Sequence, residues 1–107
     1  MRVIMCQDKF VSLIKDGRKR QTIRASARCK PGDALSLRRW SGRPYRSKQE
    51  VVLETTCTSV EAVRIDHTEH PTEELARADG FDGVGEMLQW FEYHHGLPFD
   101  GWIIRWE

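Results

Sequence analysis

The chain has 107 residues, of which 39% are hydrophobic and 31% are charged, with a formal net charge of +1, and this length favours one domain spanning residues 1–107. It contains no apolar run of about 18 residues, and its N-terminus lacks the features of a signal peptide, so we expect a cytoplasmic protein with no membrane contact. Its three cysteines are widely spaced, which argues against a disulfide framework or a zinc site.

The first fifty residues predict short strands around one helix. Residues 1–6 are typical of a strand, and residues 8–16 carry apolar side chains at helical spacing, namely Phe10, Leu13 and Ile14. Gly17 fits the end of this helix, because glycine enters the left-handed conformation without strain. The β-branched residues in Gln21–Arg24 predict a second strand, and Ala34–Trp40 alternates like a half-buried third strand. Residues 41–49 predict a mobile loop.

The second half predicts one long strand, two helices and a closing strand. Residues 50–65 alternate like a strand, with a bend expected near Ser59. Thr72 is a good N-cap for a helix that ends near Asp79 and Gly80, and a second helix is expected over residues 83–95. Residues 101–106 alternate again, with Trp102, Ile104 and Trp106 predicted on one face. Short strands with interposed helices indicate an α+β fold.

The most informative motif is the polar segment that follows the first helix. It has the form Gly-x-Lys-x-x-Thr-x-Arg, with Gly17, Lys19, Thr22 and Arg24 at the named positions. Taken by composition alone, a basic run after a helix is most often a solvated turn. The whole pattern, however, resembles the ASCH domain family, whose usual motif carries glutamate where Thr22 stands here.

The resemblance covers nearly the whole chain. Residues 30–35 resemble the family's Gly-Asp turn into a strand, and residues 78–81 with residues 86–91 resemble its helical segment. It implies a PUA-like small mixed β-barrel flanked by short helices. A threonine at position 22 is similar to the small bacterial members that act as N4-acetylcytidine amidohydrolases with a Thr-Lys-acid catalytic set. The implied function is hydrolysis of the N4-acyl amide of N4-acylated cytosine nucleosides, without a cofactor.

The resemblance also implies roles for individual residues. Thr22 would attack the acyl carbonyl, Lys19 would take its proton, and Asp79 would position Lys19, with Glu74 as the alternative acid. A lysine base must be neutral, and three arginines near Lys19 (Arg18, Arg20 and Arg24) would lower its pKa whereas Asp79 would raise it. Arg24 would bind the base carbonyl or a phosphate, although a structural ion pair is an equally simple role.

Two further alternatives concern metals and RNA. His94 and His95 are adjacent and would diverge on a helix, and His67, His70, Asp66 and Glu69 are expected to be solvated, so no metal site is predicted.

The two halves of the sequence carry opposite charge. Residues 1–50 hold 14 Lys or Arg and 4 Asp or Glu, a net charge of +10. Residues 51–107 hold 3 Lys or Arg and 12 Asp or Glu, a net charge of −9. Either the halves neutralise each other in a monomer, or the basic half binds RNA as an RNA-binding or RNA-cleaving module.

Overall fold

A computed structural model describes residues 1–68 and 71–107, and within them the chain forms five strands and three helices in an α+β arrangement. The predicted order of elements is confirmed, and their ends agree to within two residues. In chain order the elements are β1 (Arg2–Met5), α1 (Asp8–Lys15), β2 (Gln21–Arg24), β3 (Ala34–Trp40), β4 (Gln49–Ile65), α2 (Glu73–Ala78), α3 (Val84–His94) and β5 (Phe99–Trp106).

The long strand β4 organises a five-stranded sheet with the order β1-β3-β4-β5-β2. Its first half pairs antiparallel with β3, and its second half pairs antiparallel with β5. The register shifts between Cys57 and Ser59, at the junction of the two halves. This irregularity confirms the predicted bend near Ser59, because a bulge increases the local bend and twist of a strand.

The sheet is mixed and is not closed into a barrel. Strand β1 lies parallel to β3, β2 lies antiparallel to β5, and these two edge strands do not pair with each other in the described part of the chain. The closed barrel implied by the family resemblance is therefore not observed. A side chain joins the two edges instead, since Nη2 of Arg24 donates a hydrogen bond of 2.6 Å to the carbonyl oxygen of Met5.

The helices cover the sheet and complete the core. Helix α1 connects the two edge strands and buries Phe10, Val11 and Ile14, whereas α3 buries Met87 and Phe91. Helix α3, the longest in the described residues, has 11 residues and is too short to cross a membrane.

The three alternating side chains of the last strand, Trp102, Ile104 and Trp106, are not equally buried. Trp102 is 41% exposed, although Ile104 and Trp106 are buried as expected. Ile103, on the opposite face, is also buried. Both faces of β5 are thus covered near its C-terminal end, which sequence alternation alone does not reveal.

Candidate active site

A small cavity lies where the two edge strands β1 and β2 approach α1, α2 and α3. Its volume is about 120 Å³. The structure brings together in its wall all four residues that the sequence singled out, which are Lys19, Thr22, Arg24 and Asp79. They come from the α1–β2 connection, from β2 and from the end of α2.

Lys19 and Asp79 form a buried pair in this wall. Nζ of Lys19 lies 3.3 Å from Oδ1 of Asp79 and donates a 2.5 Å hydrogen bond to its backbone carbonyl oxygen. Nζ also lies 4.5 Å from the ring centroid of Phe10. A cation in this position is attracted by the ring face. The lysine head group is thus surrounded by protein rather than by water.

Local backbone structure fixes the position of Lys19. Gly17 adopts a φ of +83° at the end of α1, which turns the chain back toward the helix. The backbone N–H of Lys19 then donates to the carbonyl oxygen of Leu13 at 3.0 Å. On the other side, the carbonyl oxygen of Arg20 accepts from the backbone N–H of Trp106. The lysine is thereby tied both to α1 and to β5.

Burial, more than neighbouring arginines, controls the protonation of Lys19. Burial lowers the pKa of Lys19 and Asp79 raises it, while Arg24 adds a smaller lowering effect. The prediction that three arginines act on Lys19 is wrong for two of them. Arg18 is paired with Asp16 at 2.7 Å in solvent, and the guanidinium of Arg20 turns back to the carbonyl oxygen of Gly17.

Asp79 has a second side-chain partner that the sequence did not indicate. Nε2 of Gln21 lies 3.4 Å from Oδ1, the same oxygen that faces Lys19, and Gln21 is buried. Burial raises the pKa of Asp79, whereas Lys19 and Gln21 oppose this effect. The carboxyl group is therefore held by one cation and one amide in a site that disfavours free charge. Glu74, the alternative acid, is exposed on α2.

Thr22 and Arg24 form the other polar pair of the cavity. Nε of Arg24 lies 3.2 Å from Oγ1 of Thr22, and both side chains project from the same side of β2. Thr22 is 8% exposed, so its hydroxyl is reached through the cavity rather than from the outer surface. Within the described residues Arg24 makes no ion pair, and its hydrogen bonds go to Thr22 and Met5. Lys19 and Thr22 both line the cavity, but no hydrogen bond joins their side chains in the described part of the chain.

The remaining wall is mainly apolar and aromatic. Phe81, Trp90 and Phe91 contribute rings, and ring centroids of Phe81 and Trp90 lie 5.8 Å apart. Cys6 lines the cavity as well, and burial raises the pKa of its thiol while Arg24 and Lys19 oppose this effect. A thiol with a raised pKa is less often the reactive thiolate.

No metal site is visible in the part of the chain that the structure describes. No group of three or more His, Cys, Asp and Glu side chains there could hold an ion. His67 lies 3.5 Å from Glu92, and Asp66 lies 3.1 Å from Arg64. Glu69 and His70, the other two members of that predicted polar loop, lie outside the described residues.

Comparisons with known proteins give no independent guide to function. No protein-family model matches the chain, and neither a curated protein nor a solved structure matches it significantly. The chemistry of the cavity is therefore inferred from its own geometry.

Proposed function

We propose that the chain is a cytoplasmic, PUA-like ASCH protein that hydrolyses the N4-acyl amide of N4-acetylcytidine and related N4-acylated cytosine nucleosides. The observation that carries this proposal is one cavity that contains Lys19, Thr22, Asp79 and Arg24. A hydroxyl, a buried amine and a guanidinium can serve as the nucleophile, the base and the electrostatic stabiliser of acyl transfer.

In the first step, Oγ1 of Thr22 attacks the acyl carbonyl carbon and its proton passes to the neutral amine of Lys19. A neutral lysine that directs two N–H groups toward Asp79 keeps its lone pair for this proton. The direct contact between Lys19 and Thr22 forms only with substrate, since catalytic hydrogen bonds are often long in unliganded enzymes. Arg24, which donates to Oγ1, stabilises negative charge that develops beside it.

In the second step, the carbon–nitrogen bond breaks and protonated Lys19 returns a proton to the exocyclic nitrogen, so that the cytosine leaves with its amino group. Water then attacks the threonine ester and gives a proton to Lys19. As the bond between the acyl carbon and Oγ1 breaks, Lys19 passes this proton to Oγ1, which releases the acid and restores the Thr22 hydroxyl and the neutral amine. Asp79 stays ionised next to Lys19 and orients the amine throughout, as the acid of other triads orients its base.

The cavity favours a small planar ligand that has carbonyl oxygens. Its volume of about 120 Å³ is below the 300–1,000 Å³ of sites for drug-sized ligands, so it has room for little more than a pyrimidine base. The rings of Phe81 and Trp90 provide aromatic surface for a pyrimidine. Nε1 of Trp106, in the same wall, is buried without a hydrogen-bond partner among the described residues. An unpaired donor favours a ligand with an acceptor.

The direct test is to incubate the purified chain with N4-acetylcytidine and to follow the ultraviolet absorbance of the acylated base. The proposal predicts complete conversion to cytidine without added metal or cofactor. An unchanged spectrum at high enzyme concentration would contradict it.

A second candidate function, RNA binding, is favoured by the hairpin loop of residues 41–48, named here the basic hairpin. Within the described residues its cations, which are Arg43, Arg46 and Lys48, make no ion pair. The Tyr45 side chain is 88% exposed, and its ring centroid lies 5.1 Å from that of Trp40. Free cations beside an exposed aromatic ring suit contact with phosphate and stacked bases. Arg39, in contrast, lies 3.6 Å from both Asp8 and Glu50.

A further inference from the structure

The cavity opens to solvent at a mouth formed by three exposed residues. These are Gln7 in the β1–α1 connection, Ala25 after β2, and His95 at the end of α3. The groups proposed to carry the chemistry, Lys19, Thr22 and Asp79, are all buried. A ligand whose reacting atoms reach Thr22 therefore leaves its remaining part between Gln7 and His95.

The imidazole of His95 packs against two phenylalanine rings. Its ring centroid lies 5.6 Å from that of Phe91 and 4.8 Å from that of Phe99. Neither ring nitrogen makes a hydrogen bond with any described residue. Burial lowers the pKa of His95, and His94 and Arg24 add to the effect, so the neutral ring predominates at neutral pH. A neutral imidazole offers one donor and one acceptor.

Gln7 supplies a second polar side chain at the mouth. It is the N-cap residue of α1, but its side chain makes no capping hydrogen bond. Its backbone carbonyl oxygen accepts from the N–H of Phe10 at 3.0 Å, which fixes the backbone at this point. The amide is free of hydrogen bonds to the described residues and, like the imidazole, it can both donate and accept.

We propose that Gln7 and His95 form a ribose subsite at the mouth of the cavity. This inference rests on the proposed function, since a cavity of about 120 Å³ is too small for a whole nucleoside and leaves the sugar at the mouth. Ribose hydroxyls are donors and acceptors, as are the two side chains. The subsite makes the nucleoside, rather than the free base, the preferred substrate.

The test compares kcat/KM for N4-acetylcytidine with kcat/KM for N4-acetylcytosine. His95→Phe keeps the ring that packs on Phe91 and Phe99 but removes both nitrogens, and Gln7→Leu keeps the approximate shape of its side chain. Each change should lower the nucleoside-to-base ratio by roughly 2- to 12-fold, the worth of one hydrogen bond. His94→Phe is the matched control, because His94 stacks on Trp90 at 4.3 Å but does not line the cavity.

The outcomes separate the subsite from the proposed function. A wild-type ratio near one, or a ratio that His95→Phe and Gln7→Leu leave unchanged, overturns the subsite. If the wild-type protein hydrolyses neither compound, the proposed function fails, and the subsite is then tested by the affinities for cytidine and cytosine. Tighter binding of cytidine that is lost in His95→Phe and kept in His94→Phe supports it. Equal affinities, or no binding of either compound, overturn it.

Discussion

Nζ of Lys19 lies 3.3 Å from Oδ1 of Asp79, and the two side chains are only 4% and 6% exposed. Every other ion pair in the described part of the chain has at least one side chain that is more than a third exposed. Exposed pairs contribute little to stability, whereas breaking a buried pair leaves an uncompensated charge. This pair therefore links the stability of the fold to the chemistry of the cavity.

The first prediction concerns the cost of breaking that pair. Lys19→Met should destabilise the fold by roughly 3–5 kcal/mol near neutral pH, because Asp79 is then buried without a cation. Burial raises the pKa of Asp79. The destabilisation is therefore greatest at a pH above the pKa of Asp79 in the folded protein, where the carboxylate is charged. It decreases as the pH falls and the carboxyl group is protonated. Urea unfolding at about pH 7 and about pH 5 measures this difference.

The double variant Lys19→Met with Asp79→Asn is the control for this prediction. Removing the carboxylate should recover much of the lost stability at neutral pH, and the dependence on pH should become weaker. If the double variant is no more stable than Lys19→Met at either pH, the pair is not the source of the loss.

The second prediction concerns the pH dependence of turnover. Burial lowers the pKa of Lys19, whereas Asp79 raises it. Activity should therefore rise with pH as Lys19 loses its proton, with an apparent pKa below that of free lysine. This rise is the lysine limb of the pH profile. Asp79→Asn should move the lysine limb to lower pH and should also reduce kcat. Lys19→Arg should be nearly inactive, because a guanidinium stays protonated. The profile of kcat/KM against pH measures the limb.

Glu74→Gln is the matched control, because Glu74 is an exposed carboxylate on α2, the helix that ends at Asp79. It should leave the profile unchanged. If Lys19 acted only as a fixed cation, Lys19→Arg would keep substantial activity and the limb would be absent.

The arrangement of Lys19, Thr22 and Arg24 could be predicted from sequence, because it is determined by one short segment of the chain. Residues 8–24 contain their own helix, glycine turn and strand, so the spacing of Lys19, Thr22 and Arg24 follows from short-range rules. The bend near Ser59 and the N-cap at Thr72 also follow from local chemistry, and the N–H of Leu75 does bond to Oγ1 of Thr72 at 3.1 Å.

The long-range part could not be predicted in the same way. Gln21 reaches a carboxylate 58 positions away, and its place in a strand gives no sign of that partner. The burial of Thr22 depends on elements packed against β2. Whether β1 and β2 close a barrel depends on the twist and bend of the whole sheet, which no short segment encodes.

The third prediction concerns Gly80, which follows Asp79 at the end of α2. Its φ is +98°, and a Cβ atom there would lie 2.9 Å from Cδ1 of Phe10. Phe10 is the ring beneath Nζ of Lys19. Gly80→Ala should therefore cost about 1–2 kcal/mol of backbone strain and about 1–3 kcal/mol of overpacking, and should lower activity.

Gly32→Ala separates these two effects. Gly32 has a φ of +95°, but a Cβ atom at this position would have no described neighbour within 4 Å. Thermal unfolding should show the strain alone in Gly32→Ala, with normal turnover. Equal losses in the two variants would show that contact with Phe10 is unimportant.

The fourth prediction tests the basic hairpin as an RNA contact. If it binds single-stranded RNA, affinity should fall steeply with salt, because neutralised phosphates release counterions. Tyr45→Ala should cost about 1–3 kcal/mol of binding free energy through lost stacking, and Arg43→Glu should reduce the salt dependence. Fluorescence anisotropy of a labelled oligonucleotide measures both. Lys15→Glu, an exposed charge reversal on α1, is the control. Equal affinities for all variants, or no binding at low salt, would argue against RNA.

The fifth prediction concerns Thr22, the proposed nucleophile. Thr22→Val keeps the approximate shape of the buried side chain and removes the hydroxyl, at a cost to folding of roughly 1–3 kcal/mol because Nε of Arg24 loses its acceptor. Thr22→Ser keeps a hydroxyl and should retain measurable activity.

The rate of N4-acetylcytidine hydrolysis by wild-type protein and by Thr22→Val tests the central claim most directly. We expect turnover by the wild-type protein and a decrease in kcat of roughly 10³-fold or more in Thr22→Val, with a native circular dichroism spectrum. Wild-type-like hydrolysis by folded Thr22→Val, or no hydrolysis by the wild-type protein, would contradict the account.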